Sequence, residues 1–185
     1  MQPRFSKAIQ PLQAVSLAAS VLLLVLAFNQ SSAVWKWQRL RSNNGLAYAE
    51  KKVAYALLYP TLKNDGKFLT DYGTLLEYNA ADGPQAVRIL EEARQHFFSR
   101  QTIETLGYAY WKINDLPNAV SCFEWENNYL PNLFGPKLTL MKLYKEMGNT
   151  EKMNAMGNII ICTTPKIPSE EVNAIKFQAK ALLNR

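Results

Sequence analysis

Residues Gln101–Asn132 read QTIETLGYAYWKINDLPNAVSCFEWENNYLPN, and their spacing decides the fold. Ile103, Leu106, Gly107 and Tyr110 recur at helical intervals, the turn NDLPN (Asn114–Asn118) follows, and Ala119, Phe123 and Pro131 recur beyond it. That arrangement predicts two helices joined as a hairpin. Gly107 and Ala119 are small enough to let the helices approach closely, while Tyr110 and Phe123 fill the space between one hairpin and the next. Pro117 suits a first helical turn. Pro131 stops the second helix, because proline lacks the N–H that would extend it.

The same slots return at an interval of 34 residues. Gly73 precedes Gly107 by that distance, Tyr144 follows Tyr110, and Pro165 follows Pro131. The earlier unit carries Ala86, Leu90 and Ala93 after AADGPQ, a turn one residue longer than strict register. The later unit is degenerate, with Leu140, Met141 and Met153 in its packing slots. This period and the pattern L-G-x-x-Y…A-x-x-x-F…P are those of the tetratricopeptide (TPR) repeat, with Ile103 where the repeat has Trp. The expected fold is therefore all-α, a TPR-like α-solenoid of about three to four hairpins, with TPR-like repeats over residues 61–168. The segment Trp37–Leu58 matches a further hairpin only weakly. A capping helix is expected over 169–185: Ser169 is a natural N-cap, and Glu170 and Glu171 suit the positive end of the helix dipole. Val172, Ile175, Ala179 and Leu182 recur on one face, away from Lys176 and Lys180, and would cover the last hairpin.

Between Pro60 and Leu76, PTLKNDGKFLTDYGTLL has the look of a ligand loop. A calcium loop registered on Gly66 would need oxygen ligands at Thr61 and Lys63 and a Glu at Tyr72, and a phosphate cradle would need further glycines. The stretch reads instead as a joint, with Gly66 as a left-handed helix C-cap. Phe68, Leu69, Tyr72, Gly73 and Leu76 then form the packing stripe of the next helix.

The N-terminal part is different in kind. No charged residue occurs between Ala8 and Trp35, and Leu12–Phe28 is mostly Leu, Val and Ala. A transmembrane helix is expected over 11–30, behind a short basic tail (1–10) with Arg4 and Lys7 and ahead of an amphipathic juxtamembrane region (31–60). Trp35 and Trp37 would sit at the lipid head groups, with Lys36, Arg39 and Arg41 just outside. A signal peptide cleaved after Ala33 is the competing reading, and the unbroken run into the Trp and basic cluster favours the anchor. Arg4 and Lys7 argue for an inside N-terminus, whereas Lys36, Arg39 and Arg41 argue the reverse, so orientation stays open.

The formal net charge is +6 over 185 residues. Residues 1–67 hold nine Lys/Arg against two acids, and residues 68–185 hold twelve against thirteen. The excess thus lies beside the apolar segment, which fits anionic lipid head groups and argues against a nucleic-acid partner. Cys122 and Cys162 form no C-x-x-C pair and read as small apolar residues, with a disulfide left open for an extracytoplasmic domain. His96 is the only histidine. No nucleophile elbow, Walker loop or dinucleotide motif occurs, and the pairs Glu91–Glu92 and Glu170–Glu171 point apart on a helix. No catalytic residue, cofactor or metal is expected. What remains is a recognition face on the first helix of each hairpin: Lys67, Thr70, Thr74 and Glu77, then Glu104, Tyr108 and Trp111, then Leu138, Lys142 and Lys145. Tyr108 and Trp111 stand equally open to a role in packing alone.

Three segments carry a more specific likeness: LLYPTLKNDGKFLTDYGTLL (Leu57–Leu76), YLPNLFGPKLTLMKLYKEMGNTEK (Tyr129–Lys152) and TPKIPSEEVNAIK (Thr164–Lys176). Over about residues 20–185 the chain resembles the C-terminal TPR extension of O-antigen ligase/polymerase-like membrane proteins of Bacteroidetes-type bacteria. That extension also follows a membrane helix through a Trp-containing linker. Such ligases carry many membrane helices with a catalytic loop among them, and this chain has one apolar segment, so no ligase residue carries over. The resemblance implies an inner-membrane, single-pass protein with an extracytoplasmic repeat domain, serving surface-polysaccharide assembly beside a multi-span ligase-like partner. The alternatives are a non-catalytic subunit or fragment of such a glycosyl-transfer enzyme, and a secreted binding module.

Overall fold

The structure is a computed structural model that describes residues 6–184, with side chains from Val15 onward. Arg4 and the side chain of Lys7 lie outside the described residues, and with them the expected basic tail. Nine α-helices and no strand occur among the described residues. They fall into two compact units, Met1–Asn64 and Asp65–Arg185.

The first unit is made of α1 (Ser6–Ser42) and α2 (Tyr48–Leu62). Nothing between Phe28 and Ser42 breaks a helix, so α1 runs on through the region expected to begin a separate juxtamembrane segment. Its stretch Val15–Ser42 is long and apolar enough to cross a membrane. At 1.5 Å per residue, 28 residues extend about 42 Å, more than a hydrocarbon core of roughly 30 Å. Val15, Leu17, Val21–Leu26 and Phe28 are exposed, so this part of α1 packs on little else among the described residues. Ala33, Trp37 and Leu40, spaced i, i+4 and i+7, are buried on one stripe, and α1 packs on α2. The carboxylate of Glu50 accepts from Ala47 N at 2.9 Å, which steadies the start of α2.

The second unit comprises α3 (Gly66–Glu77), α4 (Gly83–His96), α5 (Arg100–Lys112), α6 (Leu116–Tyr129), α7 (Phe134–Glu146), α8 (Thr150–Cys162) and α9 (Glu170–Leu183). Each helix packs on the next, and α3 also reaches α5 as α7 reaches α9. The starts of α3, α5 and α7 lie 34 residues apart, and so do those of α6 and α8. The turns repeat with them. Asn114 (φ 62°) and Gly148 (φ 70°) both take the left-handed conformation one period apart. Asp115 and Asn149 then cap α6 and α8 by accepting from Asn118 N and Lys152 N. A short 3-10 turn, Ala80–Asp82, holds the extra residue between α3 and α4.

Close approach explains two glycines as expected. A Cβ on Gly73 would stand 2.4 Å from Leu90 Cγ, and one on Gly107 would stand 2.8 Å from Phe123 Cε2. Gly66 needs correction. It is not a left-handed cap but the first residue of α3, and Asp65 provides the cap by accepting from Lys67 N and Phe68 N. Glycine stands there because a Cβ would lie 2.3 Å from Phe97 Cβ and 2.7 Å from its backbone N.

Tyr110 and Tyr144 tie neighbouring helix pairs together, their hydroxyls donating to Glu91 (2.7 Å) and Glu124 (2.6 Å). Glu91 therefore faces a partner rather than open solvent, and it also pairs with Arg94. Buried Leu140, Leu143, Met141, Phe123 and Ile160 form a core that α9 closes with Ile175 and Ala179. Each such fully buried aliphatic or aromatic side chain contributes about 1.5–3 kcal/mol. Ser169 caps α9 by accepting from Val172 N, and Lys176 donates to Ile161 O and Thr163 O, satisfying carbonyls at the end of α8.

Candidate functional site

The recognition face expected on α3, α5 and α7 divides in the structure into buried, paired and open residues. Thr70 is buried; its hydroxyl bonds Gly66 O and Thr102 Oγ1 inside the α3–α5 contact. Leu138 is likewise buried, in the core beneath α7. Thr74 turns its hydroxyl back to Thr70 O. Thr70 and Leu138 therefore offer almost no surface, and Thr74 is half-buried. Glu77 pairs with Lys112 at 2.8 Å, linking α3 to α5. Lys67 is exposed with its ammonium over the Phe97 ring, 5.5 Å from the centroid. Lys142 is half-buried, and Lys145 is exposed on the last turn of α7.

Glu104, Tyr108 and Trp111 come together. Tyr108 meets Phe123 edge to face at 5.0 Å and stacks with Trp111 at 6.4 Å. Trp111 Nε1 donates to Glu146 Oε2 at 2.7 Å, so the indole also bridges α5 to α7. Packing and surface are thus combined in the same rings.

Arg100, Glu104 and Tyr108, spaced i, i+4 and i+8 on α5, form one wall of a cavity of ≈ 390 Å³. The α6–α7 loop with Phe134 and Pro136 forms a second wall, and Glu171, Val172 and Ile175 of α9 a third. Glu126 of α6 lines it from below and is 1% exposed. Arg100 organises the acids: its Nε donates to Glu126 Oε1 at 2.6 Å, and its Nη2 lies 3.3 Å from Glu104 Oε2. Burial and the nearby Glu126 carboxylate push the Glu104 carboxyl above the ordinary range, partly offset by Arg100. The loop wall is held by Lys137, whose ammonium donates to Pro131 O and, at 3.0 Å, to Leu133 O. Burial lowers the pKa of that lysine.

Arg100, Glu126 and Glu171 were not among the residues expected at a site. The i, i+4, i+8 row on α5 was a usable signal for Arg100. Glu126 gave none, since it lies among polar residues on α6 and meets Arg100 26 residues away. Of the residues expected at the membrane surface, Trp35 is 60% exposed with Arg39 5.5 Å over its ring. Lys36, Arg39 and Arg41 are exposed too. Trp37 is buried, because on a continuous α1 it falls on the stripe of Ala33 and Leu40. A second, mostly apolar cavity of ≈ 570 Å³ opens between α1 and α2, lined by Trp35, Lys36, Arg39 and Leu57 among others.

Cys122 is buried and Cys162 exposed, both as free thiols. His96 is exposed at the end of α4, and no group of three or more potential metal ligands occurs among the described residues. No protein-family model matches the chain, and no curated protein matches it.

Proposed function

We propose that the chain is a membrane-anchored, TPR-like scaffold that binds a protein partner on the face built by α5, α7 and α9. The observation that carries the reading is the cavity those helices share, with charged and aromatic side chains of α5 on one wall and the start of α9 on another. Concave sites at helix junctions that combine aromatic anchors with a few charges suit partner recognition. The repeated helix starts and turns, 34 residues apart, support a TPR-like solenoid over α3–α8 with α9 as its cap. The sequence places no nucleophile beside a base and no metal set, so the reading assigns the chain no chemistry of its own. Its likeness to the ligase extension directs the search for the partner towards a multi-span protein of surface-polysaccharide assembly.

The apolar exposure of Val15–Phe28 supports an anchor in the inner membrane. Helical continuity through Ser31–Ala33, with Ala33 buried, supports an uncleaved one. The exposed Trp35, Lys36, Arg39 and Arg41 would then meet anionic head groups, each basic residue contributing about 1 kcal/mol near the surface. The likeness to the ligase extension favours the extracytoplasmic side for the repeat domain.

Two measurements test this. The mass of the mature protein, extracted from membranes with detergent, should include the residues before Ala33; a chain beginning at Val34 would identify a secreted module instead. Co-purification after cross-linking should retrieve a multi-span partner, and Tyr108→Ala/Trp111→Ala should reduce its recovery at least tenfold at unchanged helix content. Equal recovery would remove this face from the interaction.

A further inference from the structure

The cavity of ≈ 570 Å³ between α1 and α2 belongs to the first unit alone. Where it opens follows from the reading of α1 as a membrane anchor, on which this inference rests. Within Val15–Ser42 the first charged residue is Lys36, so α1 leaves the hydrocarbon at that point, and Trp35 and Lys36 stand at head-group level on the cavity wall. From α2 the lining includes Ala54, Leu57 and Leu58. Leu57 is 76% exposed, and Val53, one turn before it, is exposed too, so α2 holds an apolar row outward beside the groove. The charge around that row is one-sided. Residues 15–64 hold six Lys/Arg against Glu50, whose carboxylate is engaged by Ala47 N. Lys36 and Arg39 are exposed, and neither meets a carboxylate among the described residues; the Arg39 guanidinium lies over the Trp35 ring, 5.5 Å from its centroid. An apolar wall and unpaired cations in one groove call for a ligand with an aliphatic chain and an anionic head. Inorganic phosphate would leave Val53 and Leu57 in water, and a zwitterionic lipid would bring its own cation against Lys36 and Arg39. An acidic peptide would match the charge, but at this depth lipid is the neighbour that α1 always has.

We propose that the α1–α2 groove is a binding site for one anionic phospholipid of the membrane that α1 enters. Lys36 and Arg39 hold the phosphate of its head group. Leu57, Leu58 and the Trp35 ring take the upper methylenes of an acyl chain, which runs on into the bilayer along α1. Val53 and Leu57 are then covered by lipid rather than by protein.

The test uses the full-length protein, delipidated in a neutral detergent, where no bilayer surface adds general attraction. Native mass spectrometry counts the dioleoyl-phosphatidylglycerol and dioleoyl-phosphatidylcholine retained in parallel titrations, with sn-glycerol 3-phosphate as the head group without chains. Expected is one phosphatidylglycerol bound at least fivefold tighter than phosphatidylcholine. Lys36→Gln and Arg39→Gln should each cut that preference at least twofold, and the pair should abolish it. Arg41→Gln, the same loss of charge outside the cavity lining, should leave it unchanged. Leu57→Ser, at an exposed position, should weaken both lipids at least threefold. Three results overturn the site and leave the anchor standing: equal affinity for the two lipids, glycerol phosphate bound as tightly as the lipid, or an affinity indifferent to Leu57→Ser. An Arg41→Gln loss as large as that of Arg39→Gln overturns it too, by showing general attraction alone. So does a photo-cross-linker at residue 57 (Leu57→p-benzoylphenylalanine) that captures only polypeptide in native membranes, since the groove then serves a protein. A mature chain that is soluble and begins at Val34 overturns the anchor, and the lipid site with it.

Discussion

Cys122 and Cys162 make the residue scale concrete. Burial pushes the Cys122 thiol up to about 11, because the thiolate would lose its hydration, while Cys162 is exposed at the end of α8. At pH 7–8 an alkylating reagent should therefore label one cysteine within minutes and the second only after denaturation; peptide mapping that finds Cys122 modified first would contradict the packing of α6. Tyr110 and Tyr144 give a second residue-level expectation. Burial first, and then the hydrogen bond to a carboxylate, raise both phenols above the ordinary value of 10.0. The contribution of these protonated phenols is complete below about pH 10 and is lost as the pH rises through their folded-state values. Absorbance titration of the nine tyrosines should thus show a late-ionising class that appears only as the helices melt. Tyr110→Phe and Tyr144→Phe should each remove one member of it. The Tyr spacing was legible because both residues occupy a slot of the 34-residue repeat. Their acceptors were not, since Glu91 and Glu124 sit on other helices and look like ordinary surface acids.

At the scale of elements, the helix starts depend on what the chain meets there. Gly66 and Gly135 both lie in a first turn, of α3 and α7 respectively, yet only one has a neighbour in the way. A Cβ at Gly66 would collide with the backbone of Phe97, and one at Gly135 would meet nothing within 4 Å. Gly66→Ala should destabilise the protein by roughly 1–3 kcal/mol through forced displacement. Gly135→Ala should be neutral or stabilising by up to about 1 kcal/mol, because alanine loses less chain entropy in a helix. Thermal unfolding followed by circular dichroism separates them, and equal shifts would refute the close α3–Phe97 contact. The order of the helices and the slots of Gly73, Gly107, Ala119 and Phe123 could be read from periodicity, since small and large residues alternate with the repeat. The role of Gly66 could not, because glycine serves left-handed caps and tight contacts alike. The buried Trp37 was missed for a related reason: tryptophan belongs both to head-group belts and to packed stripes, and only the unbroken length of α1 decides between them. The cavity was half legible, with Glu104 and Tyr108 on a visible face of α5 and Glu126 concealed in the next helix.

Across the whole molecule, the two units meet in sequence at Asn64–Asp65, just after α2 ends and with Lys63 exposed. Brief trypsin treatment should cut after Lys63 before it cuts within the helices, leaving a resistant body that starts at Asn64 and is identified by its mass; earlier cleavage inside α3–α9 would argue against that boundary. The pairing of each helix with the next, or with the one after it, also governs how the body assembles. The main helix contacts among the described residues are between near neighbours in the chain, so little loop entropy is spent before packing begins, and folding should be fast. The same locality makes unfolding gradual. α9 packs on α7 and α8 at the chain's end, so its amides should exchange with solvent at lower cost than those of α5 and α6, which have helices on both sides. The wall of the cavity that carries Glu171, Val172 and Ile175 is then the part that opens first, giving a partner a way in without melting the rest.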